Sequence, residues 1–436
     1  MEFFNREEEL RLLDITRKLS GESAMMTVIT GRRRIGKTTL AIRASEGYPS
    51  LYFFVARKSE ILLCREFIEE VEMKLNIKVL GEFSNFARLF EYLMVQAQKQ
   101  PFTLIIDEFQ EFSHINGSVY SAIQNVWDRH KATSGMNLIL SGSVYSMMKK
   151  IFENEKEPLF GRANERINLQ PFNVNVVRSI VTSRVPEIGK RDLLAFYTLT
   201  GGVAKYVELF VDKSKFTFSQ MLGEIFRENS LLIDEGKNIL IEEFGKDYTV
   251  YFSILSLIAS SKTSRSEIES ILMKDIGGYL DRLENEYRII RSIKPVFSKP
   301  GSRIQKYIIE DNFLAFWFRF IYKYRSSVEI GNFKYVRHIV ERDFDTYCGI
   351  ILEKYLREKL ALSGRYTMLG SYWERGNRNE LDIVAIDDLH NKALIAEVKM
   401  NKKKLRPNLL IENARNLINK LNGYDIEFKS LSLDDI

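Results

Sequence analysis

The chain is poor in the residues that build small stapled or metal-bound folds. It has two cysteines in 436 residues, Cys64 and Cys348, far apart and with no CxxC pair. That excludes zinc fingers and disulfide scaffolds and points to buried thiols in a reducing compartment. The four histidines, His114, His130, His338 and His390, fall at no ligand spacing. Eight prolines are scattered, with no low-complexity stretch or internal repeat. No apolar run approaches the roughly 18 residues of a membrane span. The opening Met-Glu-Phe-Phe-Asn-Arg-Glu is charged and lacks the apolar stretch of a secretion signal. A cytoplasmic protein with no membrane partner is the expectation. The charge excess is also small: 64 Lys+Arg against 58 Asp+Glu leaves +6, too little by itself to demand a nucleic-acid partner.

What is present is ordinary for a globular protein, 45% apolar and 12% aromatic. At roughly 150 residues per domain, the length suits two to four domains. Residues 1–170 alternate short apolar runs (Met25–Thr30, Leu51–Val55, Phe102–Ile106, Leu138–Leu140, Ile167–Leu169) with helical patterns, which predicts a parallel α/β sheet. Residues 171–245 read as helical. Residues 246–325 read as three helices followed by a hairpin turning at Lys299–Ser302, the element order of a winged helix-turn-helix. From 326 to 436 a helix, alternating strands and a last helix at Leu409–Asn422 predict a small α/β domain.

The strongest motif follows the first strand. Gly31, Arg32, Arg33, Arg34, Ile35, Gly36, Lys37 and Thr38 match GxxxxGK[ST], and Thr39 continues into a helical pattern. Strand, glycine loop and helix N-terminus together cradle a polyphosphate: backbone N–H groups turn inward and the helix end adds positive potential. Lys37 is expected on the β- and γ-phosphates of ATP and Thr38 on Mg²⁺. The strand Phe102–Ile106 ends in Asp107 and Glu108, acids suited to holding the Mg²⁺ shell and to polarising the attacking water. The strand around Leu138–Leu140 ends in Ser141 and Ser143, whose hydroxyls are candidate sensors of the γ-phosphate. Arg162 is a candidate transition-state arginine, acting within the chain or on a neighbour.

Phe4-Asn-Arg-Glu-Glu-Glu-Leu, the loop just described, Ile-Ile-Asp107-Glu108-Phe-Gln and Leu-Ser141-Gly-Ser143 together resemble the archaeal-type, AAA+-related P-loop ATPases. Pro158-Leu-Phe-Gly-Arg162 and Thr200-Gly-Gly-Val-Ala-Lys-Tyr206 are similar to further family motifs, the second in a helical lid. Ala204 stands where the family usually has proline. The resemblance implies Mg²⁺-dependent ATP hydrolysis, and as partners either a second copy of the chain or another protein.

Two regions bear on nucleic acid. Arg288, Arg291, Lys294, Lys299, Arg303 and Lys306 are basic with no acid among them, which suits phosphate contacts from the expected hairpin. The preceding helices, with Glu267, Glu269, Asp275, Asp281, Glu284 and Glu286, are too acidic for a good groove reader. Near the C-terminus, Asp382 stands on one alternating strand and Glu397 and Lys399 on the next. Period-two geometry puts Glu397 and Lys399 on one face. Glu353, on an upstream helix, can lean over them. Carboxylates beside a lysine suit Mg²⁺-assisted phosphodiester hydrolysis. This pattern resembles the PD-(D/E)xK nuclease fold, which members of the ATPase family also carry. By that resemblance Glu353, Asp382, Glu397 and Lys399 take the four site positions, although Leu352 replaces the usual Phe before Glu353. Lys402, Lys403, Lys404 and Arg406 follow as candidate phosphate contacts.

The expected protein is thus α/β: a P-loop ATPase core (1–170), helical lid (171–245), winged helix (246–325) and PD-(D/E)xK-like domain (326–436). ATP hydrolysis would be coupled to DNA binding or processing. The rival classes are a nucleotide-dependent switch or scaffold for partner proteins, and a DNA-directed ATPase with a dead nuclease domain.

Overall fold

A computed structural model describes residues 3–143, 145–244, 248–299, 301–302 and 304–436. Pro300 and Arg303, of the expected basic hairpin, lie outside the described residues. The chain divides into two compact units, Glu2–Pro171 and Phe172–Ile436.

The first unit is built on strands β1 (Met25–Thr30), β2 (Ser50–Phe54), β3 (Phe102–Asp107), β4 (Met136–Ser141) and β5 (Glu165–Asn168). They pair in parallel in the order β2-β3-β4-β1-β5. Helices cross over both faces, so the strands are apolar on both sides and read as continuous runs. Met26, Val28, Leu104 and Ile106 pack on one face with Phe53, Phe67, Phe86 and Trp127. Ile29, Ile105, Ile139 and Ile167 face the other way, onto Leu13 and Leu40. The order matters for function. β4 separates β1 from β3, so the tip of β4 lies between the loop after β1 and the acids after β3. In such sheets ligands sit at the carboxyl ends of the strands.

The second unit begins with helices Val174–Arg184, Lys190–Thr200, Ala204–Asp212, Phe218–Ile225 and Leu231–Phe244. Caps fix several of them. Asn173 accepts from the N–H groups of Asn175 and Val176, and Thr217 with Gln220 forms a reciprocal capping box. Helices Tyr248–Ala259, Arg265–Leu272 and Gly277–Asp281 follow, the last continuing as a π turn through Glu286. Strands β6 (Ile290–Ile293) and β7 (Lys306–Ile309) then pair antiparallel, and Ser302 N donates to Lys299 O at 3.0 Å within their connection.

The long helix Phe333–Ala361 leads into β8 (Met368–Glu374), β9 (Arg378–Asp387), β10 (Lys392–Lys399) and β11 (Asp425–Ser432), ordered β11-β10-β9-β8. The expected last helix differs: it is two short pieces, Pro407–Asn413 and Arg415–Ile418, and the chain then returns as β11, parallel to β10. β11 was not anticipated because it is an edge strand whose polar residues Asp425, Glu427 and Lys429 are exposed, leaving a weak apolar signal.

One backbone position pins the helical part. Gly202 has φ +71°, its carbonyl accepts from Phe172 N at 2.8 Å, and an added Cβ would collide with Phe172 O. Neighbouring Gly201, at φ +57°, has 3.4 Å of clearance. Both pay the left-handed penalty of about 1–2 kcal/mol on substitution. Gly202→Ala adds a clash of about 1–3 kcal/mol. Urea unfolding of this unit should therefore shift clearly more for Gly202→Ala than for Gly201→Ala.

Candidate functional site

The loop after β1 is shaped by glycine. Gly31 has φ +147°, and a Cβ there would stand 2.7 Å from Leu169 O. The helix Lys37–Ala44 starts directly behind Gly36, with no acid in its first turn, so its N-terminus keeps its positive end. Lys37 is buried and its Nζ donates to Gly31 O (2.9 Å) and Arg32 O (3.0 Å), folded over the loop. Arg33, Arg34 and Ile35 complete the loop, Ile35 packing into the apolar face beneath it.

Two chain segments meet at the acids. Thr38 Oγ1 donates to Asp107 Oδ2 at 2.5 Å, and Tyr52 OH donates to the same oxygen at 3.0 Å. Asp107 Oδ1 accepts the N–H of Glu108 at 3.0 Å. Burial, then the Asp107 charge, push the Tyr52 hydroxyl's pKa well up, so it remains a donor. Glu108, in a left-handed conformation (φ +54°), holds its Oε2 between Ser143 Oγ (2.7 Å) and Gln110 Nε2 (2.5 Å). Ser141 Oγ and Gln110 Oε1 are buried with no hydrogen-bond partner. A hydroxyl beside a carboxylate is a hard-oxygen donor pair that fits Mg²⁺, and the orphaned polar atoms nearby mark a place for a polar ligand or water.

The C-terminal residues also converge. β9 and β10 pair antiparallel through Ala396–Ile383, so Asp382 and Glu397 follow one step on, on the same face as Lys399. Lys399 Nζ stands 3.5 Å from Asp382 Oδ2 and 3.4 Å from Glu397 Oε1. Asp382 also accepts Val398 N at 2.7 Å, and Glu397 accepts Arg406 N at 2.9 Å. Glu353 reaches this place from the long helix, 3.8 Å from Arg357, whose Nη1 donates to Asp382 O at 2.9 Å. Burial and then the Asp382 charge push the Glu353 carboxyl up to about 8. Burial raises Asp382 also, against its Val398 and Lys399 contacts. Lys399 is raised: burial opposes its charge, but Asp382 and Glu397 outweigh it. The open side is a cleft of about 620 Å³ lined by Asp382, Glu397, Lys399, Lys403, Lys404 and Arg406, among others. Among the described residues, no group of three or more His, Cys, Asp or Glu side chains is placed to hold a metal. The cleft therefore fits a divalent cation only as a two-carboxylate site completed by water or substrate oxygens, a mode Mg²⁺ accepts.

Residues 3–210 match the model of an ATPase domain predominantly from Archaea, and residues 317–410 that of archaeal and bacterial proteins of unknown function. The uncharacterized protein MJECL04 of Methanocaldococcus jannaschii is 30% identical over 408 residues, 91% of this chain and 87% of that protein. The chain belongs to this archaeal-type P-loop ATPase family. It is an ATP hydrolase. The structure of the Walker-type ATPase PABY2304 of Pyrococcus abyssi shares the fold, with TM-score 0.55 and 18% identity, covering 73% of this chain and 96% of that one.

Within this ATPase the structure brings Lys37, Thr38, Asp107, Glu108 and Ser143 together, with Ser141 at the same strand tip. It does not bring Arg162 to them. Arg162 pairs in a fork with Asp128 (2.7–3.2 Å) just before β5, where Asn164 N bonds Met26 O at the start of β1. The phosphate loop leaves the opposite end of β1, roughly 15 Å along the strand. A role for Arg162 within its own site is thus corrected by the sheet direction. Sequence reasoning missed Tyr52 and Gln110, which bond Asp107 and Glu108, and Arg357, which pairs with Glu353 and bonds the Asp382 carbonyl. Gln110, two residues past Glu108, and Arg357, four past Glu353 on the same helix, carried a nearby signal; Tyr52 carried none. No helix among the described residues is long and apolar enough to cross a membrane.

Glu353 gives a pH test. A carboxyl raised from 4.5 to about 8 favours folding as the neutral acid. That contribution is complete below the ordinary value and is lost as pH rises towards 8. In EDTA, Glu353→Gln should gain stability over the parent between about pH 5 and pH 8.5, on the order of a few kcal/mol. Urea midpoints measured at the two pH values check it.

Proposed function

We propose that the chain couples Mg²⁺-dependent ATP hydrolysis to DNA binding or processing in the C-terminal cleft. The observation that carries the first half is the junction of Thr38 with Asp107, with Glu108 held alongside. In this reading Gly31–Thr39 wrap the phosphates, and Lys37 exchanges its loop carbonyls for β- and γ-oxygens. Thr38 and Asp107 hold Mg²⁺, which when bound neutralises the phosphate charge. Glu108 orients the attacking water, and Ser141 and Ser143 respond to the γ-phosphate. Arg162 belongs to this reading only as a residue offered to a neighbouring copy. Residues 171–245 serve as a lid, and 246–325 as a winged helix.

The cleft supports the second half. It joins acids and bases on one surface, as phosphodiester chemistry requires. Asp382 and Glu397 would hold a divalent cation, Lys399 would steady the developing charge, and Glu353 would supply or take a proton. Lys403, Lys404 and Arg406 would meet phosphates. A second reading, a switch or scaffold whose nuclease-like domain does not cut, is favoured by Lys399 bridging both carboxylates with no third acid ligand among the described residues.

Glu108→Gln should retain ATP and lose turnover by about 10²–10⁴-fold, whereas Lys37→Ala should lose ATP affinity. Equal turnover in Glu108→Gln and the parent rejects the water-orienting role; phosphate release and nucleotide titration read the two effects. For the cleft, Mn²⁺ or Mg²⁺ should raise the melting temperature of the full chain without nucleotide. Asp382→Asn should remove most of that rise and any cleavage of labelled DNA, leaving ATP hydrolysis intact. Lys399→Ala should keep the rise and lose cleavage. Cation-dependent stabilisation with no cleavage by the parent selects the non-cutting reading.

A further inference from the structure

The connection between β6 and β7 is fastened to the rim of the C-terminal cleft. Val296 N donates to Ser371 O of β8 at 2.9 Å, and its side chain joins the core containing Leu381 and Leu410, both of which line the cleft. At the far end of the connection, Lys306 Nζ bonds Glu380 Oε1 at 2.7 Å and lies 4.6 Å from the centre of the Trp373 ring. Glu380 lines the cleft as well. Between these anchors, Phe297 takes a left-handed conformation (φ +59°) and remains 36% exposed, while Val296 beside it is buried. Lys294 and Lys299, three residues before it and two after, are exposed.

We propose that this connection extends the cleft into a track for single-stranded DNA, with Phe297 as a platform on which a base stacks. The proposal rests on the nucleic-acid reading of the cleft. Charge selects the occupant. Lys294 and Lys299 flank Phe297 in sequence and are exposed, Lys306 neutralises Glu380, and Lys403, Lys404 and Arg406 make the cleft lining positive. A polyanion is matched by that lining, and its bases alone offer flat faces to the aromatic ring. Single strands expose those faces, whereas a duplex keeps them stacked, so the ring discriminates between them.

The test uses the full chain in EDTA, with fluorescent oligo-dT of about 20 nucleotides and a blunt duplex of equal length, followed by anisotropy. Phe297→Ala should weaken oligo-dT binding roughly ten- to a hundredfold and leave the duplex within about twofold. Phe297→Trp should keep the affinity, and its fluorescence should be quenched by the oligonucleotide. Lys294→Gln with Lys299→Gln should weaken both ligands and flatten the salt dependence. Basal ATP turnover, unchanged in each variant, reports folding. Unchanged oligo-dT affinity in Phe297→Ala overturns the platform, as does an equal loss for the duplex. If Lys403→Gln with Lys404→Gln abolishes binding while Phe297→Ala does not, the track fails and the cleft reading stands. If the parent binds neither oligonucleotide, both fail.

Discussion

A carboxylate taken out of water must be given donors, and both functional regions of this chain are organised by how that need is met. Asp107 is buried and takes its donors from three places: the hydroxyl of Thr38, 69 residues away, the phenol of Tyr52, and the next backbone N–H. Those bonds hold the end of β3 against the start of the helix behind the phosphate loop. The sheet order supplies the rest, because β4 lies between β1 and β3 and brings Ser143 to Glu108. Removing one partner from such a set leaves a desolvated acid behind, which costs more than the bond itself contributes.

The C-terminal cleft meets the same need with charge. Asp382 and Glu397 share one ammonium, that of Lys399, and each also takes a backbone N–H. Glu353 is met by Arg357 at 3.8 Å, but burial and the Asp382 charge outweigh that cation and its proton affinity rises. The long helix that carries it is itself tightly tied. Lys354 Nζ donates to Glu310 O and Asn312 Oδ1, while Glu358 accepts from Tyr197 OH and Val174 N. One helix thus positions an acid of the cleft and binds the helical segments that precede it.

Much of this was legible in the sequence, for reasons that differ by element. β1 and β3 are buried on both faces, so their apolar runs stand out. The phosphate loop is fixed by glycines and by contiguous residues. Asp382, Glu397 and Lys399 follow from a hairpin spacing and a two-residue period. Four things escaped. β11 is a polar edge strand. The partner Tyr52 arrives from β2, far away in the chain, and Arg357, though four residues past Glu353, bonds the backbone of Asp382 on another element. Arg162 was left open between its own site and a neighbour's because sequence adjacency to β5 does not say which end of the sheet a residue occupies. The basic hairpin region was expected to meet phosphates from a winged helix, and its attachment through Val296 and Lys306 to the C-terminal sheet had no signal in the sequence.

That last attachment bears on how the protein can be taken apart. A fragment beginning at the long helix would leave Ser371 O without the N–H of Val296 and open a hole in the core beside Leu381 and Leu410. A buried acceptor and an unfilled apolar seat are each destabilising. Gly370 is fitted to the same side chain, since a Cβ there would stand 2.9 Å from Val296 Cγ1. The smallest separable piece that contains the cleft therefore begins upstream of β6, and the residues around Val296 and Gly370 are bound to change together or not at all.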